Sequence, residues 1–264
     1  MSRPLVSIVT PSLDQGAFVE RTLESVLSQR GDFDLEYLVQ DGGSTDGTLA
    51  VLEHHRDRIS LVVEPDTGQA DAVNRALRRA RGEIVGWVNS DDLLRPGAVQ
   101  AAVEAFQAAP SALWLHGRCD IVDEQDRLIR RPVAAYKDLR ARRHRMDRLL
   151  IENYVSQMTV FWRRSLQDRV GLLDPSLRFT FDYDLWLRFA AVAPPVYLTR
   201  RLAAFRWHTA SKSGSSFEAQ FAEDWEVFLR HAPDDRWLRL RKRLRTAEIL
   251  AVYRVLRALR RRVR

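Results

Sequence analysis

Short apolar, β-branched runs alternate with helical periods through the first 122 residues, and this alternation leaves the chain few folds to choose from. Residues 5–10 read as a buried strand, and residues 18–29 as a helix with Val19, Leu23, Val26 and Leu27 on one face. Residues 36–40, 59–63, 83–88 and 113–122 supply further strands. Residues 45–56, 69–81 and a segment opening at Pro96 supply helices, proline being suited to a first helical position. Strands and helices at this spacing predict an α/β fold whose mostly parallel central sheet is flanked by helices. The second half is less regular. A charged loop leads into a helix over 130–149, a strand covers 155–162, a helix 182–191, and one or two strands 196–207.

In open α/β sheets ligands bind beyond the carboxyl ends of the strands. There the chain places Thr10-Pro11-Ser12-Leu13-Asp14, Asp41-Gly42-Gly43-Ser44-Thr45-Asp46-Gly47, Glu64-Pro65-Asp66 and Asn89-Ser90-Asp91-Asp92. Taken singly, the second cluster reads equally as a tight turn and the fourth as a helix cap. Four clusters on one edge are harder to explain as turns. An acidic edge disfavours a bare phosphate but suits one that arrives with a divalent cation. Neither GxGxxG nor GxxxxGK[ST] occurs, which removes the main support for dinucleotide and P-loop readings.

Four ordered motifs carry a resemblance: Ser7-Ile8-Val9-Thr10-Pro11-Ser12, residues 41–48, Asn89-Ser90-Asp91-Asp92, and residues 181–188 with Asp182 and Asp184. Together the chain resembles family 2 glycosyltransferases of the GT-A fold over roughly residues 5–215. The resemblance implies a Rossmann-like domain over 1–215, with a nucleotide-binding half (1–125) and an acceptor and catalytic half (126–215). It also implies transfer of a sugar from a nucleotide-sugar donor to a cell-envelope polysaccharide or lipid-linked glycan acceptor, with inversion. Carried over by position, Thr10, Pro11 and Ser12 line the nucleoside pocket and Asp41 accepts from the base. Asp66, Gln69 and Asp71 hold ribose or sugar. Asn89-Ser90-Asp91 fills the DXD position, with Asp91 as metal ligand for Mn2+ or Mg2+ and Asn89 on ribose or a metal-bound water. Asp182 is the base that takes the acceptor proton, with Asp184 as the fallback; Phe181 stands where the family carries Glu. His208 completes the metal sphere and Lys212 pairs with phosphate. Gln157, Trp162 and Trp186 fall on the acceptor side, although such aromatics also serve as core. A sugar-nucleotide pyrophosphorylase and a non-catalytic membrane- or nucleic-acid-binding protein are the competing readings.

The formal charge of +7 is unevenly spread. Residues 236–264 carry twelve basic residues and one acid, which leaves 30 basic against 34 acidic residues in 1–235. A strongly basic segment on a mildly acidic body argues against a general nucleic-acid binder. Residues 216–264 read as a helical extension. Within it Ile249, Val252, Leu256, Leu259 and Val263 form one apolar stripe opposite Arg254, Arg257, Arg261 and Arg264. Such a helix is expected to lie on an anionic membrane surface, with packing on the body or homodimerisation as the alternatives. The lone Cys119 and the lack of any apolar run near the ~20 residues of a membrane span lead to the expectation of a cytoplasmic protein, peripheral on the inner face of the membrane.

Overall fold

The computed structural model describes residues 3–208, 217–232 and 234–262, with side chains left out at 217, 218 and 252–262. Eight strands form one sheet in the order β3-β2-β1-β4-β7-β6-β8-β5. They are β1 (Leu5–Ser12), β2 (Asp34–Asp41), β3 (Ser60–Val63), β4 (Ile84–Trp87), β5 (Leu93–Leu94), β6 (Trp114–Val122), β7 (Phe161–Arg163) and β8 (Val196–Arg206). β1 pairs in parallel with β2 and β4, β2 with β3, and β6 with β8; β7 and β5 run against their neighbours. The sheet is therefore mixed, with a parallel nucleus formed by β3, β2, β1 and β4.

Period-two alternation divides the core. Val6 and Ile8 on β1, Tyr37 and Val39 on β2 and Ile84 on β4 pack on one side, with α1 (Val19–Leu27) and α4 (Ala98–Ala108). Val9, Leu38, Val85 and Trp87 face the other side, with α3 (Gln69–Arg79) and α8 (Phe181–Val192). The predicted face of α1 is buried as expected at Val19, Leu23, Val26 and Leu27. α2 (Thr48–His54) covers the β2–β3 connection.

Several local expectations differ from the structure. Gly97 takes φ +73°, so α4 starts at Ala98 and Pro96 lies outside it. Residues 130–149 form two helices, α5 (Arg131–Ala141) and α6 (Met146–Ile151). The expected strand over 155–162 opens as a 3-10 turn, Gln157–Thr159, before β7. α7 (Arg164–Val170) and the two-residue β5 had no readable period.

α9 (Phe217–His231) and α10 (Arg236–Arg262) follow. The start of α10 packs on the body. Leu238 is in the core, and buried Lys242 pairs with Asp224 at 2.5 Å. Burial pushes the Asp224 carboxyl up and the Lys242 amine down, each opposed by the partner's charge. Arg241 reaches Asp147 at 3.4 Å and Arg245 reaches Glu152 at 3.1 Å. These contacts precede the predicted stripe. In the predicted stripe Ile249 is half-buried, Val263 lies outside the described residues, and the side chains of Val252, Leu256 and Leu259 are not described. Among the described residues no helix is long and apolar enough to cross a membrane.

Candidate active site

The carboxyl ends of β1 and β2 are laced together by their own loops. Asp14 accepts from the Thr45 backbone N–H at 2.8 Å, Ser44 Oγ accepts from the Asp14 N–H at 2.9 Å, and Asp46 accepts from the Gly16 N–H at 2.9 Å. Asp41 belongs to this lacing. It is fully buried, its Oδ1 accepts from the Gly43 and Ser44 N–H groups, and its Oδ2 accepts from Ser44 Oγ at 2.7 Å. These three hydrogen bonds make the carboxylate the organiser of the turn, and they leave Oδ2 one further acceptor position. Thr10 is buried, and its hydroxyl shares a 3.1 Å hydrogen bond with Tyr37 Oη. Pro11 is buried behind the same edge.

Ser12 differs from its neighbours, because its buried Oγ has no hydrogen-bond partner. A buried hydroxyl left unpaired is costly, and a ligand at this edge would satisfy it. Beside it, Asp66 Oδ2 lies so close to Gly42 that a Cβ there would sit 2.6 Å away, while Asp66 Oδ1 accepts from the Gly68 N–H at 2.8 Å. Glycine at position 42 is therefore what lets Asp66 approach the β1–β2 edge. Asp71 serves the start of α3, its Oδ2 accepting from Thr67 and pairing with Arg75 at 2.9 Å.

Asn89 is a hub. Its Oδ1 accepts from Gln69 Nε2 at 2.8 Å and Trp87 Nε1 at 2.9 Å; its amide nitrogen donates to Asp92 Oδ2 at 3.3 Å and Gln157 Oε1 at 3.1 Å. All four hydrogen-bonding positions of the amide are used. This explains Asn at the first DXD position: a carboxylate has no proton to donate to Asp92. The ribose role expected for Asn89 and the sugar role expected for Gln69 thus give way to mutual support. Gln157 also donates to the Trp87 carbonyl at 2.6 Å, which makes it part of the hub and not an acceptor surface. Asp92 is fully buried. Burial and the adjacent charge of Asp91 push its carboxyl well above the usual range, against the pull of the Arg206 N–H and the Asn89 amide.

Asp91 meets His208, with Oδ2 and Nε2 3.1 Å apart. The Asp91 side chain keeps 20% exposure, and the His208 ring packs on Phe18 with centroids 4.6 Å apart. Behind them Arg206, fully buried, donates to the Asp91 carbonyl at 2.6 Å and pairs with Asp126 at 2.7 Å; Asp126 is also held by Arg21 at 2.7 Å. Asp126 and Phe18 carried no motif in the sequence, and pairings this distant leave none; Arg206 opens the stretch 206–213 that resembles the family's late loop, but its contacts with Asp91 and Asp126 were not legible there. Ser90 is buried and anchors the loop through its carbonyl, which accepts from Thr22 Oγ1 at 2.9 Å. One carboxylate oxygen and one imidazole nitrogen suit Mn2+ or Mg2+ with ligand oxygens in the remaining positions. Among the described residues no group of three His, Cys, Asp or Glu side chains could hold a metal. Lys212 lies outside the described residues.

The first turn of α8 is set against β4 by Phe181, whose ring stacks on Trp87 at 5.7 Å. Burial pushes the Asp182 carboxyl up to about 6, opposed by a 2.6 Å hydrogen bond from the Tyr183 N–H. Asp184 is not available as a base, because Arg188 holds it at 2.8 Å and His231 at 2.7 Å. Burial opposes its ionisation, yet these partners keep its carboxyl below the usual range. Trp162 and Trp186 are fully buried; Trp186 stacks on Trp114 at 6.2 Å and Trp162 donates to Gln167 at 3.1 Å. They are core, and their faces are closed to a sugar.

A nucleotide-type α/β sheet with an Asp–His pair and a raised carboxyl at its carboxyl edge is the architecture of a GT-A glycosyltransferase. The glycosyl transferase family 2 model matches residues 7–170, and the chain belongs to that family. It is 27% identical over 234 residues to a putative teichuronic acid biosynthesis glycosyltransferase, TuaG, of Bacillus subtilis, covering 86% of this chain and 88% of that protein. It is 29% identical over 194 residues to chondroitin synthase of Escherichia coli, covering 72% of this chain but 27% of that longer protein. Among solved structures, S. aureus TarS in complex with UDP-GlcNAc superposes with a TM-score of 0.66 at 19% identity, covering 93% of this chain and 71% of that one. A mannosyltransferase from Pyrobaculum calidifontis in complex with GDP-Man and Mn2+ gives 0.65 at 19% identity, covering 96% and 80%. The chain is thus a glycosyltransferase with relatives among cell-envelope polysaccharide enzymes, and the pyrophosphorylase and non-catalytic readings fall away.

Proposed function

We propose that this glycosyltransferase moves a sugar from a nucleoside diphosphate donor to a glycan or lipid-linked acceptor by direct displacement, with inversion at the anomeric carbon. The observation that carries the reading is the placement of Asp91 with His208 and of Asp182 around the end of β4. Asp182, with a carboxyl near 6, takes the proton of the acceptor hydroxyl as its oxygen bonds to the anomeric carbon and the bond to the diphosphate breaks. Asp91 and His208 would hold a divalent cation, which when bound supplies positive charge to the leaving diphosphate. Ser12 donates its unpaired hydroxyl to the nucleoside and Asp66 accepts from it. The nucleotides and Mn2+ bound by structural neighbours support the donor class, and the polysaccharide relatives support the acceptor class.

The test is turnover of a panel of UDP- and GDP-sugars with Mn2+ or Mg2+. Asp182→Asn is expected to lower the rate on the order of 10²-fold or more while nucleotide still binds. Asp91→Ala is expected to abolish metal-dependent nucleotide binding. Wild-type protein that neither binds nucleotide with metal nor turns over any donor would overturn the reading.

A further inference from the structure

Two strongly basic stretches are distant in sequence and tied together in the fold. Residues 130–145 hold seven Arg or Lys and one acid, and residues 236–245 hold six and none. Glu152 ties them together: it accepts from Tyr136 Oη on α5 at 2.8 Å, pairs with Arg140 at 3.5 Å, and pairs with Arg245 on α10 at 3.1 Å. Arg245 also donates to Tyr136 Oη at 2.5 Å.

Over its first turns α10 has two apolar faces. Leu238 and the Lys242 stem are turned inward. Trp237, Leu240 and Leu244, spaced by three and four, are turned outward at 76%, 45% and 57% exposure. On α5, Leu139 and Val133 are exposed as well. On the same two helices and the turn after α5, Arg131, Arg142, Arg143, Arg236 and Arg243 are exposed and have no carboxylate at ion-pair distance among the described residues. An exposed tryptophan and leucines on a helix rimmed by uncompensated cations is an unusual surface for a soluble protein.

Charge and apolarity together select the occupant. A nucleic acid would satisfy the arginines and leave the leucines in water. A second copy of this chain would bring like charge against like. An anionic lipid surface satisfies both, since phosphate headgroups meet the cations while the tryptophan and leucines enter the interfacial region. We propose that the joint face of α5 and the start of α10 docks the enzyme on anionic lipid, with Trp237, Leu240 and Leu244 as the inserted residues. This is a different face from the stripe beginning at Ile249, and it keeps the inward packing of α10 intact.

Co-sedimentation of the full chain with phosphatidylcholine vesicles, with and without phosphatidylglycerol, tests this. Binding is expected only with phosphatidylglycerol. It should fall at least tenfold in the W237A/L240A/L244A variant and in a second variant, R131Q/R142Q/R143Q. Both variants are expected to retain the wild-type melting temperature, because none of the altered side chains is buried. Absence of binding to the anionic vesicles overturns the proposal, as does equal binding by the apolar variant, which would mean charge alone. A wild-type dimer in sedimentation velocity that the apolar variant dissociates would assign the face to a second copy and also overturn it. Vesicle binding needs neither donor nor acceptor, so this outcome is independent of the proposed transfer reaction.

Discussion

At the scale of single residues, the site is governed by how completely each polar group is hydrogen-bonded. Asn89 uses both donors and both acceptor positions within the protein. Asn89→Asp removes two donors and adds a carboxylate beside Asp91 and Asp92. It is expected to lower turnover at least tenfold and to destabilise the fold by about 1–3 kcal/mol, read by initial rates and by denaturant unfolding. The base role proposed for Asp182 carries an expected pH dependence. Its carboxyl, raised to about 6 by burial, works as a base only when ionised, so kcat/KM is expected to rise with pH and level off above about 6. A profile for Asp182→Asn that keeps the same acid limb would assign that limb to another group. At Gly42 a Cβ would press on Asp66 Oδ2. Gly42→Ala is therefore expected to raise KM for the donor more than it lowers kcat.

At the scale of elements, α8 and α10 show why placement matters more than the helix itself. Periodicity predicts both helices. It does not reveal that α8 brings Asp182 to β4 through the Phe181–Trp87 stack, or that α10 buries a lysine. Removing one member of a buried ion pair leaves the other uncompensated, at a cost of about 3–5 kcal/mol. Lys242→Ala is expected to destabilise by about that amount, and Asp224→Asn combined with Lys242→Met to recover most of it. Equal unfolding midpoints for the single and the double variant would show that the pair is not coupled. α7 and β5 had no legible signal, since two residues have no period and the second half alternates less regularly.

At the scale of the molecule, residues that meet at the site come from both ends of the chain. Arg206 and His208 close over Asp91, and Arg206 is in turn held by Asp126. The same long-range assembly joins the basic stretches of α5 and α10. A chain ending at Asp235 loses Leu238 from the core and Lys242 from Asp224, so its melting temperature is expected to drop by several degrees. A chain ending at Thr246 keeps both and is expected to melt close to wild type, as measured by scanning calorimetry.

Local pattern was enough to determine the α/β class, the order of the main strands and helices, the sheet edge that carries the site and the family, because hydrophobic period and short motifs are written in consecutive residues. Among the residues so marked, Ser12, Asp66, Asp91, Asp182 and His208 are the ones whose surroundings suit ligand or substrate. Thr10, Asp41, Gln69, Asp71, Asn89 and Gln157 are bound to other protein groups, and Trp162 and Trp186 are closed in the core. Only the tertiary structure decided between these two sets. Whether a polar group is free to act depends on burial and on partners such as Asn89 with Gln157 or Asp184 with His231, which lie far apart along the chain. The composition of a segment carries no record of them.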